Sequence, residues 1–469
     1  MAEARYDLVV IGGGSAGLTA AGFAASVGAS VLIAAEQLGG DCTWTGCIPS
    51  KALIRAARLV RAARRAASSG IVTGEVGIDF ARVMADVRAA INRVYTYETP
   101  ERLAKRGIEV VIGRTRFADR QTIDVQGRLI GAEHFIVCTG AAPVVPAIPG
   151  LDSVRYLTHE TLFDSEHLPA NMLVVGAGAT GLELAQPFAR LGSRVSVIEL
   201  RASVLPDADL DATTLIQERL ESEGITFHLS SPVPAVSSTG PHIELGVGAQ
   251  RIAGDCLLIA AGRRPRVEGL DLERAEIELR NGAIRVNQNL RTTNPLVYAA
   301  GDVTGGFQFT HYAGWQGYIA ARNALLPGSQ EGIRSSVPSV VFTDPEVAQV
   351  GLTEQEARSS LGDVRIHKLG LEQVDRAQTE DERDGFIKLI TGAGGRLLGA
   401  TVVSRSAGET INELALAIDR GLSLADLAST IHVYPTFGFA IQQLAAEASL
   451  QAITAGLRGK ALRALRRLS

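Results

Sequence analysis

Cysteine is scarce in this chain, with four among 469 residues. That is too few for a disulfide-stapled secreted scaffold, so a close cysteine pair is catalytic or metal-binding rather than structural. Aromatic residues are also few, at 5% against 46% hydrophobic residues overall, so the cores have to be mostly aliphatic. A surplus of one charge is missing as well. The formal net charge of −4 leaves no basic footprint for nucleic acid, and no such partner is expected. No stretch is apolar enough to cross a bilayer. Nothing resembling a secretory leader precedes the first apolar run, Tyr6 to Ile11, which ends in glycines and reads as a strand. The expected location is cytoplasmic. Neither a second cysteine pair nor clustered histidines complete a four-ligand set, so no metal site is expected.

Two basic stretches qualify the charge balance. Residues 457–469 carry Arg458, Lys460, Arg463, Arg466 and Arg467 with no acid, and Leu457, Leu462, Leu465 and Leu468 could line one helical face. This reads as a solvated terminal helix or as a weak membrane-surface contact. Lys51, Arg55, Arg58, Arg61, Arg64 and Arg65 read as a solvated helix face.

What is abundant is glycine, with 50 residues and no collagen-like period. Much of its meaning lies in an internal repeat. A strand from Leu8 to Ile11 leads into Gly12, Gly14 and Gly17, then a helical run, then a second strand, Val31 to Ile33, ending at Glu36. The pattern returns at Leu173 to Val175 with Gly176, Gly178 and Gly181, and a second strand, Val195 to Ile198, ends at Glu199. In each copy the first glycine permits a tight turn, the second lets backbone approach a pyrophosphate, and the third lets helix and strand pack closely. The helix N-terminus offers free N–H groups to phosphate, and the acid accepts from a ribose. Two such βαβ units predict two dinucleotide sites. Glu199 favours NADH, because a 2′-phosphate would meet like charge, while Arg201 two residues on could accept that phosphate and keeps NADPH open.

The cysteine pair stands in Gly39-Gly40-Asp41-Cys42-Thr43-Trp44-Thr45-Gly46-Cys47-Ile48-Pro49-Ser50-Lys51, ahead of an alanine-rich helical run. Five positions apart, the sulfurs can be bridged on a turn entering a helix. A helix N-terminus stabilises a thiolate, and exchange needs one sulfur to attack and one to resolve. Cys138 and Cys256 sit in apolar strand-like runs and read as buried structural thiols.

These motifs resemble the FAD-containing pyridine nucleotide-disulfide oxidoreductases, a family that includes dihydrolipoamide dehydrogenase, glutathione reductase and mercuric reductase. The resemblance runs from about Tyr6 to about Glu447. It rests on the Gly-Gly-Asp-Cys…Cys-Ile-Pro-Ser-Lys segment, Cys138-Thr139-Gly140, Ala261-Gly262-Arg263-Arg264-Pro265, Ala300-Gly301-Asp302, Thr310-His311, and Asp344-Pro345-Glu346 with Val350-Gly351-Leu352. It implies an α/β fold with two Rossmann-like domains and a C-terminal α+β dimerisation domain. The FAD domain would comprise residues 1–150 and 267–335, the NAD(P) domain 151–266, and the interface domain 336–469. Gly40, Asp41, Thr139, Gly140, Asp302, Thr310 and His311 would join the first glycine motif around FAD, with Asp302 on the ribitol. Gly262 would join the second motif around the nicotinamide dinucleotide. Cys47 would face the flavin, Cys42 would act as interchange thiol toward substrate, and Lys51 would pair with Glu183 beside the flavin.

The resemblance breaks at the C-terminal end. Disulfide reductases of the family use His-Pro-Thr-x-x-Glu from the partner subunit as an acid–base pair. Here the stretch reads Ile431-His432-Val433-Tyr434-Pro435-Thr436-Phe437-Gly438-Phe439. Tyr434 holds the base position and Phe439 the glutamate position, and an ordinary phenol, with a pKa near 10, is a poor base at neutral pH. His432, two residues earlier, would point the same way as Tyr434 on a strand. It is either a substitute acid–base or an interface residue. The Tyr-Pro-Thr motif resembles a mercuric-reductase-like branch, but the vicinal C-terminal cysteines of mercuric reductases are missing. The expected function is an NAD(P)H-dependent homodimeric enzyme that passes electrons through FAD and Cys42–Cys47 to a disulfide, a metal ion or another soft electrophile. The alternative is a diaphorase that reduces quinones or dyes from the flavin and bypasses the cysteines.

Overall fold

The computed structural model describes residues 3–454 apart from 73, 241 and 249, together with 459 and 466. Most of the basic tail, including Arg458, Lys460, Arg463 and Arg467, lies outside the described residues. The chain divides into two compact units, one of residues 1–200 and 225–334, the other of residues 201–224 and 335–469.

The larger unit is built on two mainly parallel sheets. In the first, Glu3–Gly13 lies between Val31–Leu38 and Arg128–Val137, with Ile108–Ile112 beyond Val31–Leu38, and with Val297–Ala299 also pairing on Arg128–Val137. Leu8, Val9, Val10 and Ile11 are all buried. An unbroken apolar run suits a strand covered on both faces, where a half-exposed strand would alternate. The core is aliphatic, as the composition requires. Helices Ser15–Ser26 and Thr310–Leu325 cross against it through small residues: a Cβ on Gly317 would stand 2.1 Å from the Ala16 carbonyl oxygen. The second sheet has the order Thr226–His228, Arg194–Ile198, Asn171–Val175, Cys256–Ile259, all parallel. Each sheet thus carries one of the two predicted βαβ repeats.

The smaller unit has a five-stranded antiparallel sheet in the order Ser339–Val341, Glu346–Gly351, Leu397–Ser404, Phe386–Thr391, Arg365–Gly370. Its core takes residues from helices Ala407–Asp419 and Phe439–Thr454. The fully buried strand Phe386–Thr391 contains a lysine. Lys388 Nζ lies 2.7 Å from Asp209, 2.7 Å from Asp211 and 3.0 Å from Glu354. Burial alone would push the Lys388 pKa down, but these hydrogen bonds outweigh it and raise it. Asp209 caps helix Leu210–Ser222, and Arg219 pairs with Asp384 at 2.8 Å. These contacts tie residues 201–224 to the C-terminal sheet, whereas the family resemblance implies that they belong to the nicotinamide domain.

Candidate active site

The two glycine turns divide the labour of their three glycines alike. A Cβ on Gly12 would stand 2.3 Å from the Cys138 carbonyl oxygen, and one on Gly17 2.0 Å from the Gly12 carbonyl oxygen. Those two are demanded by the protein's own packing. A Cβ on the middle residue, Gly14, would meet nothing closer than 3.7 Å, and one on Gly178 nothing within 4 Å. The middle positions are open toward a ligand, which suits a pyrophosphate approached by backbone. The Ala177 N–H of the second turn donates to the Glu199 carboxylate at 2.7 Å. The acid thus sits against the turn it is expected to serve. Glu36 stands within Val31–Leu38, which runs past the expected strand end, and its side chain is exposed.

Around the first turn a charged network has formed. Arg263 bridges Asp41 and Asp302, at 2.8 Å from each. Its Nε is buried with no hydrogen-bond partner. Burial raises the Asp302 pKa, opposed by Arg263. Thr139 Oγ1 donates to the Arg266 carbonyl at 2.7 Å, and the open, positive-φ Gly140 accepts from the Arg266 N–H at 2.9 Å. An orphaned guanidinium N–H, an open glycine turn and a buried aspartate fit a flavin dinucleotide. Asp41, His159 and Glu160 also bring their ligand atoms within 4.8 Å of one another. Arg263 already holds Asp41, however, and Arg266 lies 2.6 Å from Glu160, so the cluster is knit by guanidinium groups.

Cys42 falls in the short helix Gly40–Trp44, and Cys47 opens the helix Cys47–Arg65. Both are free, half-buried thiols in hydrogen-bond contact with each other. Cys47 Sγ also lies 3.3 Å from Thr310 Oγ1, the first residue of helix Thr310–Leu325. His311 follows it and is exposed. The hydrogen bond from Cys42 holds the Cys47 pKa down, helped by Thr310 and by the Lys51 cation and opposed by burial. Cys42 is driven up by the same sharing and by burial. The reduced pair is therefore asymmetric, with negative charge favoured on Cys47 over Cys42. Lys51, one turn after Cys47, pairs with Glu183 at 2.7 Å. The basic face of this helix is less solvated than expected, since Arg64 also donates to the Arg190 carbonyl at 2.8 Å. Cys138 is buried as expected, but Cys256 is only half-buried, its pKa raised to about 11 mainly by burial.

The C-terminal loop corrects one expectation. Residues 431–433 lie in no strand, so His432 and Tyr434 do not share a direction through strand alternation. His432 Nδ1 lies 2.9 Å from the Thr430 carbonyl and Nε2 2.7 Å from Glu413. Both ring nitrogens are committed within the loop and its supporting helix. Tyr434, which precedes a cis Pro435, is 60% exposed, and its phenol donates to Asp375 at 2.8 Å. That carboxylate raises the phenol pKa. Glu413 and Asp375 were not singled out in the sequence. Each lies on another element, 19 and 59 positions away, and no local motif marks them.

Two open dinucleotide turns, a half-buried cation–carboxylate pair and an asymmetric dithiol define a flavin-linked dithiol reductase. Residues 6–317 match the pyridine nucleotide-disulphide oxidoreductase family, and residues 337–445 match its dimerisation domain. The chain belongs to this family, is a homodimer, and uses FAD and NAD(P)H. It is 35% identical over 438 residues to a mercuric reductase of Bacillus cereus, covering 92% of this chain and 69% of that protein. It is 37% identical over 464 residues to a dihydrolipoyl dehydrogenase of Thermus scotoductus, covering 96% and 98%. Among solved structures it is similar to the HOCl-induced flavoprotein disulfide reductase RclA of Escherichia coli, with a TM-score of 0.86, 30% identity and coverage of 94% and 99%. A Cu(II) complex of RclA matches at the same TM-score of 0.86. Among the described residues, no helix is long and apolar enough to cross a membrane.

Proposed function

We propose that this enzyme reduces a thiophilic metal ion of the mercuric or cupric class, bound at Cys42 and Cys47. The observation that carries the reading is the bond between Tyr434 and Asp375 at 2.8 Å, at the position where disulfide reductases place their histidine base. A phenol whose O–H is already donated in a hydrogen bond to a carboxylate is poorly suited to protonate a leaving thiolate. Phe439 offers no carboxylate to support one. Metal reduction has no such requirement. The Cys42 thiol releases its proton to solvent as the ion binds. The two sulfurs then give up two electrons as their S–S bond forms, reducing one Hg(II) to Hg(0) or two Cu(II) to two Cu(I).

Bound FAD supplies the two-electron relay from nicotinamide to the cysteines. Lys51 and Glu183 would stand beside it, and Asp302, Thr139 and the Gly14 turn would hold it. Glu199 supports NADH over NADPH, because a 2′-phosphate would meet its charge. Tyr434 would face the Cys42 of the partner subunit, which makes each active site a shared one. A cytoplasmic setting, where thiols stay reduced, suits the dithiol.

The test is an anaerobic panel of mercuric ion, cupric ion, lipoamide and glutathione disulfide with NADH and NADPH. The reading expects turnover with the metal ions to exceed that with either disulfide by at least about a hundredfold, the scale of a single acid–base group. Disulfide turnover that matches or exceeds metal turnover would overturn it.

A further inference from the structure

We infer that Asp375 is a positioning residue that sets acceptor specificity by accepting the hydrogen bond from the Tyr434 hydroxyl, leaving the phenol oxygen to present lone pairs to the acceptor. The inference rests on the proposed placement of Tyr434 at the partner's Cys42.

Asp375 opens the short helix Asp375–Thr379. Among the described residues it has no ion-pair partner, and its side-chain carboxylate accepts only from Tyr434 Oη, at 2.8 Å. The neighbouring cation is otherwise engaged: Arg376 Nε donates to Glu380 at 2.7 Å, and Glu380 also holds Arg405 at 3.0 Å. The Asp375 charge is therefore left for the phenol. The ring is fixed from another side by Phe439, edge-on with centroids 5.4 Å apart. The loop itself is tied down by His432, through Glu413, Thr430 and the bond from the His432 N–H to Gln442 at 3.2 Å.

The chemical consequence follows from donor counting. A tyrosine hydroxyl has one proton and two lone pairs. With the proton directed at Asp375, the outward face of the oxygen can accept from a thiol or ligate a metal ion, but it cannot donate. A free Tyr434 could turn its proton toward a leaving thiolate. Asp375 thus selects the ligand role of Tyr434 over the acid role. It also orients the oxygen, as supporting residues do for metal ligands.

The experiment is a double-mutant cycle on the FAD-loaded dimer, with Asp375→Ala, Tyr434→Phe and both together, and with Asp375→Asn as the conservative variant. Steady-state kcat/KM is measured with mercuric or cupric ion, and the rate of reduction by NADH is followed separately by rapid mixing. Each single variant is expected to lose about tenfold in kcat/KM for the metal ion, the scale of one charge-assisted hydrogen bond. Reduction by NADH should be unchanged. The double variant should be no worse than Tyr434→Phe, because both changes remove one interaction. Asp375→Asn keeps an acceptor oxygen and should stay within about threefold of wild type. Wild-type activity in Asp375→Ala, additive losses in the double variant, or an Asp375→Asn as impaired as Asp375→Ala would each overturn the inference and leave the metal-reduction reading standing. A fully active Tyr434→Phe would overturn both the placement of Tyr434 and the inference.

Discussion

Replacing Lys388 by methionine removes the one cation buried in the C-terminal strand Phe386–Thr391 without changing its length much. The three acids around it fare differently. Asp211 keeps Lys368 at 2.7 Å, and Glu354 keeps Arg358 at 2.9 Å. Asp209, whose side chain is 2% exposed, keeps among the described residues only backbone donors, Asp211 N–H at 3.1 Å and Glu354 N–H at 3.4 Å. One buried carboxylate is therefore stranded. Breaking a buried pair this way costs about 3–5 kcal/mol, and two rescued acids put the expected loss near the lower end. For a unit of this size each kcal/mol moves the melting temperature by about 2–4 °C, so the drop should be about 6–12 °C for the transition of this unit. Removing the stranded partner as well, in Lys388→Met with Asp209→Leu, should recover most of it. The pH dependence has a definite sign. Lys388 helps hold Glu354 and Asp211 below the usual carboxylate range, so its stabilisation is fully present above their unfolded values near 4 and is lost as pH falls through the lower folded values. The gap between wild type and variant, read by scanning calorimetry, should be widest near neutrality and narrow below about pH 4. A variant melting within about 2 °C of wild type, or a gap that does not change with acid, would refute the reasoning.

Four further outcomes follow from the site. Because the Cys42 hydrogen bond is the largest influence holding Cys47 down, thiolate absorbance of the reduced enzyme should titrate below the ordinary thiol value near 8.5. Cys42→Ala should move that midpoint up by more than Thr310→Val does. Lys51→Met removes the cation 2.7 Å from the buried Glu183 carboxylate, so it should slow reduction by NADH at least about tenfold in rapid mixing, with acceptor binding little changed. Glu199→Ala should raise KM for NADH by about tenfold and shrink the preference over NADPH, since a charge-assisted acceptor is lost. His432→Gln should leave metal-ion turnover within about threefold of wild type, because both ring nitrogens serve the loop.

Much of this was legible in the chain because it is local. The glycine turns, Glu199 and the cysteine segment each sit within one βαβ unit or one loop, where spacing fixes geometry. The pairing of Lys51 with Glu183 was reached through family resemblance, across 132 positions. What spacing could not give is the pairing of side chains across elements without a motif. Asp375 and Glu413 are ordinary helix acids until the fold brings Tyr434 and His432 to them. The contacts of residues 201–224 with the C-terminal sheet, through Lys388, Lys368 and Asp384, likewise join elements distant in sequence. The strand direction expected of His432 does not hold, because the stretch Ile431-His432-Val433 is a loop held by histidine hydrogen bonds.

The central claim is that electrons leave through Cys42 to a metal ion. Anaerobic rapid mixing of the NADH-reduced enzyme with mercuric or cupric ion, in wild type and Cys42→Ser, tests it most directly. The account predicts that wild type is reoxidised with one Hg(II) or two Cu(II) consumed per dithiol, and that Cys42→Ser is slowed at least about a hundredfold. Reoxidation of Cys42→Ser at the wild-type rate would contradict it and point to electrons leaving from the flavin without the cysteines.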